Sequence, residues 1–339
     1  MTSLQENIFN SRRRRDEKKF KLWKYAGLML TYKCSAACAF CYYNCSPDKG
    51  GLMKTETAVG AWESLERLAG ARASVHITGG EPFLYADRLA EVLNEAKRMG
   101  LRPADSVETN ASWAVSSSVI ERNVRLLKDA GVERLKISWD PFHAEYISTD
   151  KIKRLASAAE DILGRERVLV RWADYLDAEL DFAGMTEEEK QAVYKSAMGD
   201  YPCRLTGRAA GRLGHLAERK PLEIIQKQNC RRTWMDGKGV HIDPYGNIFS
   251  GLCSGIIVGN VEDRSLEDIW RSLDIENEQM VARLVEAGPA GLLNTALEAG
   301  YEVRGEYAGK CHLCTDIRQF FFDNGRFQGI IGPLECYTD

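Results

Sequence analysis

The chain predicts an α/β fold: short parallel strands alternating with helices close part of a barrel, and a smaller α+β extension follows. Three observations predict it. Short apolar runs alternate with amphipathic helical patterns through the first half of the sequence. Glycines punctuate the ends of those helical patterns, as at Gly70, Gly100, Gly131 and Gly164. From about residue 216 the alternation gives way to a hairpin pattern and short helices. Repeated strand–helix units imply parallel strands with right-handed crossovers, and six such units make a partial (β/α)6 barrel. The expected division is an extension over 1–24, the barrel over 25–215 and the C-terminal part over 216–339.

The elements follow in order. Arg12 to Arg15 form a basic run met at once by Asp16 and Glu17, which reads as a solvated extension rather than an RNA or acidic-partner contact. Residues 26–32 read as a strand that ends in a cysteine-bearing loop. Residues 55–69 read as a helix, with Val59, Trp62, Leu65 and Leu68 on one face. Residues 75–78 make a strand and 84–99 a helix; 106–109 make a strand and 116–130 a helix, with Ser118-x-x-Glu121 as a capping-box pattern. Residues 135–138 make a strand, 145–163 a helix and 168–172 a strand. A helix over 187–198 and a weaker sixth strand over 203–206 complete the alternation. Further on, Val240-His241-Ile242-Asp243, Pro244-Tyr245-Gly246-Asn247 and Ile248-Phe249 read as a β-hairpin. Helical segments are predicted over 265–273, 275–305 (with glycine interruptions) and 311–323.

Composition excludes little but bounds the class. The 339 residues are 44% hydrophobic and 28% charged, ordinary globular values. No run approaches the roughly 20 apolar residues a membrane helix needs, and no signal layout opens the chain. The expectation is a cytoplasmic protein with no membrane partner. A formal net charge of −3 gives no global reason to expect nucleic acid. Ten cysteines fall in clusters, and in a reducing compartment clustered cysteines more often bind metal or do redox chemistry than form disulfides.

The most specific signal is Cys34-Ser35-Ala36-Ala37-Cys38-Ala39-Phe40-Cys41, a C-x3-C-x2-C spacing with an aromatic before the last thiol. Three thiolates on one loop can hold three irons of a [4Fe–4S] cubane, which usually takes four, so one iron is left open. The mostly apolar run Val75-His76-Ile77-Thr78 then leads into Gly79-Gly80-Glu81-Pro82. The pair of motifs, in this order, resembles the radical S-adenosylmethionine (radical SAM) enzymes.

The resemblance implies chelation of the open iron by the methionine part of SAM. Gly79 and Gly80 would let backbone approach closely, and Glu81 would contact the ammonium directly or through backbone geometry. Thr109, Asn110, Ser138 and Asp140, at strand ends, are candidates for the ribose hydroxyls and the methionine part. Arg171 is a candidate for the SAM carboxylate. Phe40 would pack beside the cluster or near the adenine. His143 is a candidate substrate contact or acid–base group. Cys45 reads as loop structure, since taking the open iron would block SAM. Cys203 could give a hydrogen atom to a substrate radical, as a cysteine does in the radical SAM peptide epimerases, or be a small buried hydrophobe.

A second group, Cys230, Cys253, Cys311 and Cys314, resembles the auxiliary-cluster twitch extension, a shortened relative of the SPASM domain. A full SPASM pattern would place further cysteines where Phe320 and Asn324 stand, so one auxiliary [4Fe–4S] cluster is expected, with zinc as the alternative. Cys336 could replace Cys230 or join the group. The implied chemistry is reductive cleavage of SAM and removal of a hydrogen atom from a C–H bond, fed by a one-electron reductant such as flavodoxin or ferredoxin. Maturation of a ribosomally made peptide, by epimerisation or oxidative cross-linking, is the first expectation. The compact second group, the Cys45-Ser46-Pro47 extension of the cysteine loop and Cys203 favour it. A small-molecule dehydrogenase or an RNA-modifying enzyme are the alternatives.

Overall fold

The computed structural model describes residues 4–178, 180–201, 203–251 and 253–338. Five parallel strands form its centre: β1 (Tyr25–Met29), β2 (Ser74–Thr78), β3 (Ser106–Thr109), β4 (Arg134–Ile137) and β5 (Val168–Val170), in spatial order β5-β4-β3-β2-β1. The helices Thr55–Ala69, Ala86–Arg98, Ser117–Asp129 and Thr149–Leu163 connect them. Each buries an apolar stripe, such as Leu89, Val92, Leu93 and Ala96 on the second. The result is a partial barrel of parallel strands with a C-terminal extension.

Among the described residues the predicted sixth barrel strand does not form. Residues 203–206 form no strand. Gly207 takes φ +57° and turns the chain straight into the helix Arg208–Leu213. The sheet grows instead on its opposite edge. Strand β6 (Gly239–Ile242) pairs in parallel with β1, and β7 (Asn247–Ser250) and β8 (Ile257–Asn260) continue it antiparallel. The predicted hairpin therefore belongs to the barrel's own sheet.

Local details also differ from the sequence pattern. The segment predicted as one helix over 145–163 is preceded by a separate turn, Pro141–Ala144, capped by Asp140, and the helix proper starts at Thr149. Ser116, not Ser118, caps the helix Ser117–Asp129; its side chain accepts from the Val119 N–H. A true capping box occurs at Thr186 and Glu189.

The basic run is solvated, with Arg12, Arg14 and Arg15 exposed, but the extension around it is pinned. Phe9, Phe20 and Trp23 are buried. Asn7 Nδ2 donates to the carbonyls of Trp270 and Leu273, Arg12 pairs with Asp274 at 2.5 Å, and Arg13 pairs with Glu276. Charge dominates the local pattern at 12–17, but the apolar residues on either side dock on the C-terminal part.

His76 on β2 and His241 on β6 meet edge to face, 5.4 Å apart, across β1. Gly27 on β1 makes room for them: a Cβ there would stand 2.3 Å from His241 and 2.7 Å from His76. Burial, the largest influence on both, holds both imidazoles below their ordinary range, His241 at about 4.

Candidate functional site

The cysteine loop leaves β1 through a closed base. Thr31 bridges to Leu52, Lys33 bridges to Ser46, and Cys34 N donates to Ser46 O at 3.0 Å. One buried guanidinium holds its interior carbonyls. Arg208 donates to Cys45 O at 2.9 Å, Asn44 O at 3.0 Å and Cys38 O at 3.3 Å, and its backbone N–H donates to Cys41 O at 3.0 Å. Gly207 must be glycine here, because a Cβ would lie 2.3 Å from Tyr42 O. The sequence offers no local sign of this contact, since Arg208 stands far from the loop in the chain.

Cys34, Cys38 and Cys41 line one cavity of about 130 Å³, with Thr78, Gly79, Gly80, Asn110, Ser138 and His143 among its other walls. Burial pushes the Cys34 thiol up to about 12 and Cys38 well above its ordinary value, so both stay protonated until a metal displaces the proton. A hydrogen bond with Cys45, then the Arg208 charge, holds Cys41 low against the cost of burial. Among the described residues no three His, Cys, Asp or Glu side chains converge on one point as a single ion needs; the three thiols border a cavity instead. Thiols, glycine backbone and small polar groups around one cavity fit a polynuclear iron–sulfur centre together with an amino-acid-bearing cofactor.

The glycines act first on the protein itself. Gly80 N donates to Thr31 O at 2.7 Å and Glu81 N to Lys33 O at 3.0 Å. A Cβ on Gly80 would stand 2.0 Å from Lys33 O, and one on Gly79, at φ +127°, 2.6 Å from Thr31 O. The turn after β2 thus lies directly on the chain that feeds the cysteines.

Glu81 is fully buried and is not among the cavity walls. It accepts from Asn110 N at 2.7 Å, from Phe83 N at 3.1 Å and from the Thr109 hydroxyl at 2.9 and 3.0 Å. Thr109 Oγ1 in turn accepts from Ala111 N and Trp113 Nε1. Glu81 and Thr109 therefore shape the end of β3, and Asn110 is the residue they present to the cysteines.

The other predicted residues are spread more widely. Phe40 is buried, lines the cavity and stacks on Phe142 at 5.2 Å. Ser138 lines the cavity, with its N–H on Thr109 O at 2.7 Å. Asp140 Oδ1 accepts from His143 N at 2.9 Å and lies 2.8 Å from His143 Nδ1. Burial lowers the His143 pKa, but the Asp140 charge and hydrogen bond outweigh it and leave it above the ordinary value. Arg171 is exposed, one residue past β5, and is not among the cavity walls; Cys203 is half-buried and also outside them. Burial, then the Asp140 charge, push the Cys203 thiol up to about 12. Cys45 is buried and does line the cavity.

Two further polar cavity residues escaped the sequence reading, Thr78 and Glu108. Thr78 Oγ1 donates to Glu108 Oε2 at 2.8 Å, and Lys136 Nζ lies 3.9 Å from Glu108. Burial opposes ionisation of Glu108, but His76, Thr78 and Lys136 together keep its carboxyl below the ordinary value. The available signal was a glutamate inside a strand otherwise fit for the interior.

Cys230, Cys253, Cys311 and Cys314 line a second, smaller cavity of about 60 Å³ with Arg204, Lys310 and Arg318. Burial pushes Cys230 and Cys253 up to about 12. Arg318 is buried and donates to Ser254 O and the Tyr337 hydroxyl. Cys336 does not line this cavity; its sulfur lies 3.7 Å from the Tyr32 hydroxyl, which donates to Asp243.

Residues 28–164 match the family model described as the radical SAM superfamily, and this part of the chain is a radical SAM domain. The probable GTP 3′,8-cyclase of Methanococcus maripaludis is 27% identical over 118 residues, 35% of this chain and 37% of that protein. The putative peptide biosynthesis protein YydG of Bacillus subtilis is 25% identical over 134 residues, 39% of this chain and 40% of that protein. The chain thus spans well under half the length of these curated relatives. The structure of BtrN in complex with AdoMet and 2-DOIA is similar in fold, with a TM-score of 0.50 and 15% identity over 80% of this chain and 90% of that one.

Burial raises the Glu81 pKa to about 7, against the lowering effect of its hydrogen bonds. The folded state therefore binds the Glu81 proton more tightly than the unfolded chain does. The resulting stability is full below the unfolded value, 4.5, and is lost as pH rises through about 7. Denaturant titrations of wild type and Glu81→Gln at pH 5 and pH 8 should show the variant gaining on wild type at the higher pH, by on the order of 2–3 kcal/mol. A constant difference would contradict the assignment.

Proposed function

We propose that this chain is a radical SAM enzyme that cleaves SAM reductively and removes a hydrogen atom from a C–H bond of a ribosomally made peptide. The observation that carries this reading is the meeting of Cys34, Cys38 and Cys41 with Gly79, Gly80, Asn110 and Ser138 around one cavity. A [4Fe–4S] cluster held there would supply the one electron that cleaves SAM, and an acidic one-electron carrier such as flavodoxin or ferredoxin would recharge it. The three thiols would hold three irons. The methionine part would lie along the cavity wall that Gly79 and Gly80 form, and the Ser138 hydroxyl offers a donor and an acceptor to the ribose. His143, fixed by Asp140 at Nδ1, faces the same space as a proton-bearing group. Phe40, packed against Tyr42 and Phe142, forms an apolar part of the cavity wall.

The peptide reading draws on the similarity to YydG and on the second cysteine group. Four thiols beside Arg204, Lys310 and Arg318 suit an anionic auxiliary [4Fe–4S] cluster. Such a cluster could accept the second electron of an oxidation. Cys203 lies outside the cavity walls, so an oxidative outcome such as cross-linking has more support than epimerisation, which needs a thiol at the substrate carbon. The modest cavity volume favours a small-molecule dehydrogenase as the second reading.

Cys34→Ala should abolish formation of 5′-deoxyadenosine from SAM under reducing, anaerobic conditions; cleavage at the wild-type rate would sink the proposal. In D₂O, a short peptide encoded beside the gene should lose two hydrogens by mass spectrometry, whereas one solvent deuterium at an α-carbon would mean epimerisation. An untouched peptide with intact SAM cleavage would support the small-molecule reading. Cys311→Ala should lower bound iron by about one cubane, roughly four irons; unchanged iron would refute the auxiliary site.

A further inference from the structure

Asn110 makes a contact that a cofactor-binding role does not explain. Its side-chain Nδ2 lies 3.4 Å from Cys34 Sγ and 3.1 Å from Ser35 Oγ. Its Oδ1 accepts from Ser112 N at 2.9 Å. That last bond fixes the orientation of the amide: a backbone N–H can only donate, so the oxygen must face Ser112 and the NH₂ must face the cysteine loop. An amide nitrogen carries two hydrogens, and here one points to a sulfur and the other to a hydroxyl. No donor of Asn110 is left over for a ribose or a carboxylate.

The side chain is also held in place from behind. It is buried, with 5% of its surface exposed. Its backbone N–H is bound by the Glu81 carboxylate at 2.7 Å, and Glu81 is bound in turn by Thr109 and Phe83. The turn carrying Glu81 lies on the Lys33–Cys34 backbone. The donor and its acceptor sulfur are thus fixed in one rigid unit built from the ends of β1, β2 and β3.

An N–H aimed at a ligating sulfur stabilises negative charge on it. Reduction makes an iron–sulfur cluster more negative, so such a bond favours the reduced state and raises the midpoint potential; hydrogen bonds to the sulfurs are among the main controls of that potential. Backbone N–H groups also reach these sulfurs, from Cys45 to Cys41 at 3.3 Å and from Ala36 and Ser35 to Cys34, and substitution of a side chain cannot remove them. Asn110 adds to Cys34 a donor that comes from a side chain.

We propose that Asn110 is a positioning residue that sets the reduction potential of the cluster through its hydrogen bond to Cys34, rather than a contact of SAM. This rests on the reading of Cys34, Cys38 and Cys41 as cluster ligands. The test uses the full chain reconstituted anaerobically, as wild type, Asn110→Leu and Asn110→Asp. Iron and sulfide are counted per chain, and the midpoint is measured by EPR-monitored redox titration without SAM. The expected result is unchanged iron with a midpoint shifted to more negative potential in both variants, further in Asn110→Asp, which places an acceptor where the donor was. Should Asn110→Leu lose iron, the near-isosteric Asn110→Asp decides. Iron loss in both variants would make Asn110 a folding residue and overturn the proposal. An unchanged midpoint with weakened SAM binding in equilibrium dialysis would overturn it in favour of a cofactor contact. A wild-type chain that assembles no cluster at Cys34, Cys38 and Cys41 would overturn the proposed function as well.

Discussion

The contact on which the site depends is backbone against backbone. Gly79 and Gly80, leaving β2, lie on the chain that carries Thr31 to Cys34 out of β1, and no Cβ fits between them. Two hydrogen bonds, Gly80 N to Thr31 O and Glu81 N to Lys33 O, close the contact. It fixes where the cysteine loop starts. It also directs Glu81 inward, where backbone and hydroxyl donors around its carboxyl group offset part of the cost of burial. Through Glu81 the end of β3 is tied to the same point. Three strand ends are thus locked together beside the three thiols, as expected where active sites form on loops at the carboxyl ends of barrel strands.

The opposite side of the loop is held by a residue far away in sequence. Arg208 binds carbonyls of Cys38, Asn44 and Cys45. The helix it opens replaces the expected sixth strand, so the barrel's missing edge is traded for a brace on the cysteine loop. The sheet's continuity moves to β6, which sits on β1. The strands between Cys230 and Cys253 are thus part of the sheet whose first strand feeds Cys34.

Much of this was legible in the sequence where the signal is local. Strand–helix alternation with glycine stops located the five barrel strands, and the hairpin at 240–249 was plain from its turn residues. Cysteine spacing and the Gly79-Gly80-Glu81-Pro82 turn pointed to the radical SAM domain. Long-range effects were not legible. Residues 203–206 have a strand-like composition, but Gly207 and the pull of the loop carbonyls on Arg208 override it. Arg12 and Arg13 look like part of a free charged run because Asp274 and Glu276, their partners, lie more than half the chain away. Glu108 is hidden because nothing in its own strand shows that it faces Thr78 and Lys136 inside the barrel. Asn110 was visible as a polar strand end, but its partner sulfur could only be found by seeing the loop fold back.

The most direct test of the central claim, that three thiols leave one iron open to the methionine part of SAM, is pulsed electron–nuclear double resonance. The reduced protein would be mixed with SAM carrying ¹⁵N in its amino group. A resolved ¹⁵N hyperfine coupling to the reduced cluster, lost in Cys38→Ala, is the predicted result. A cluster that forms with full occupancy but shows no coupling to the labelled nitrogen would contradict it.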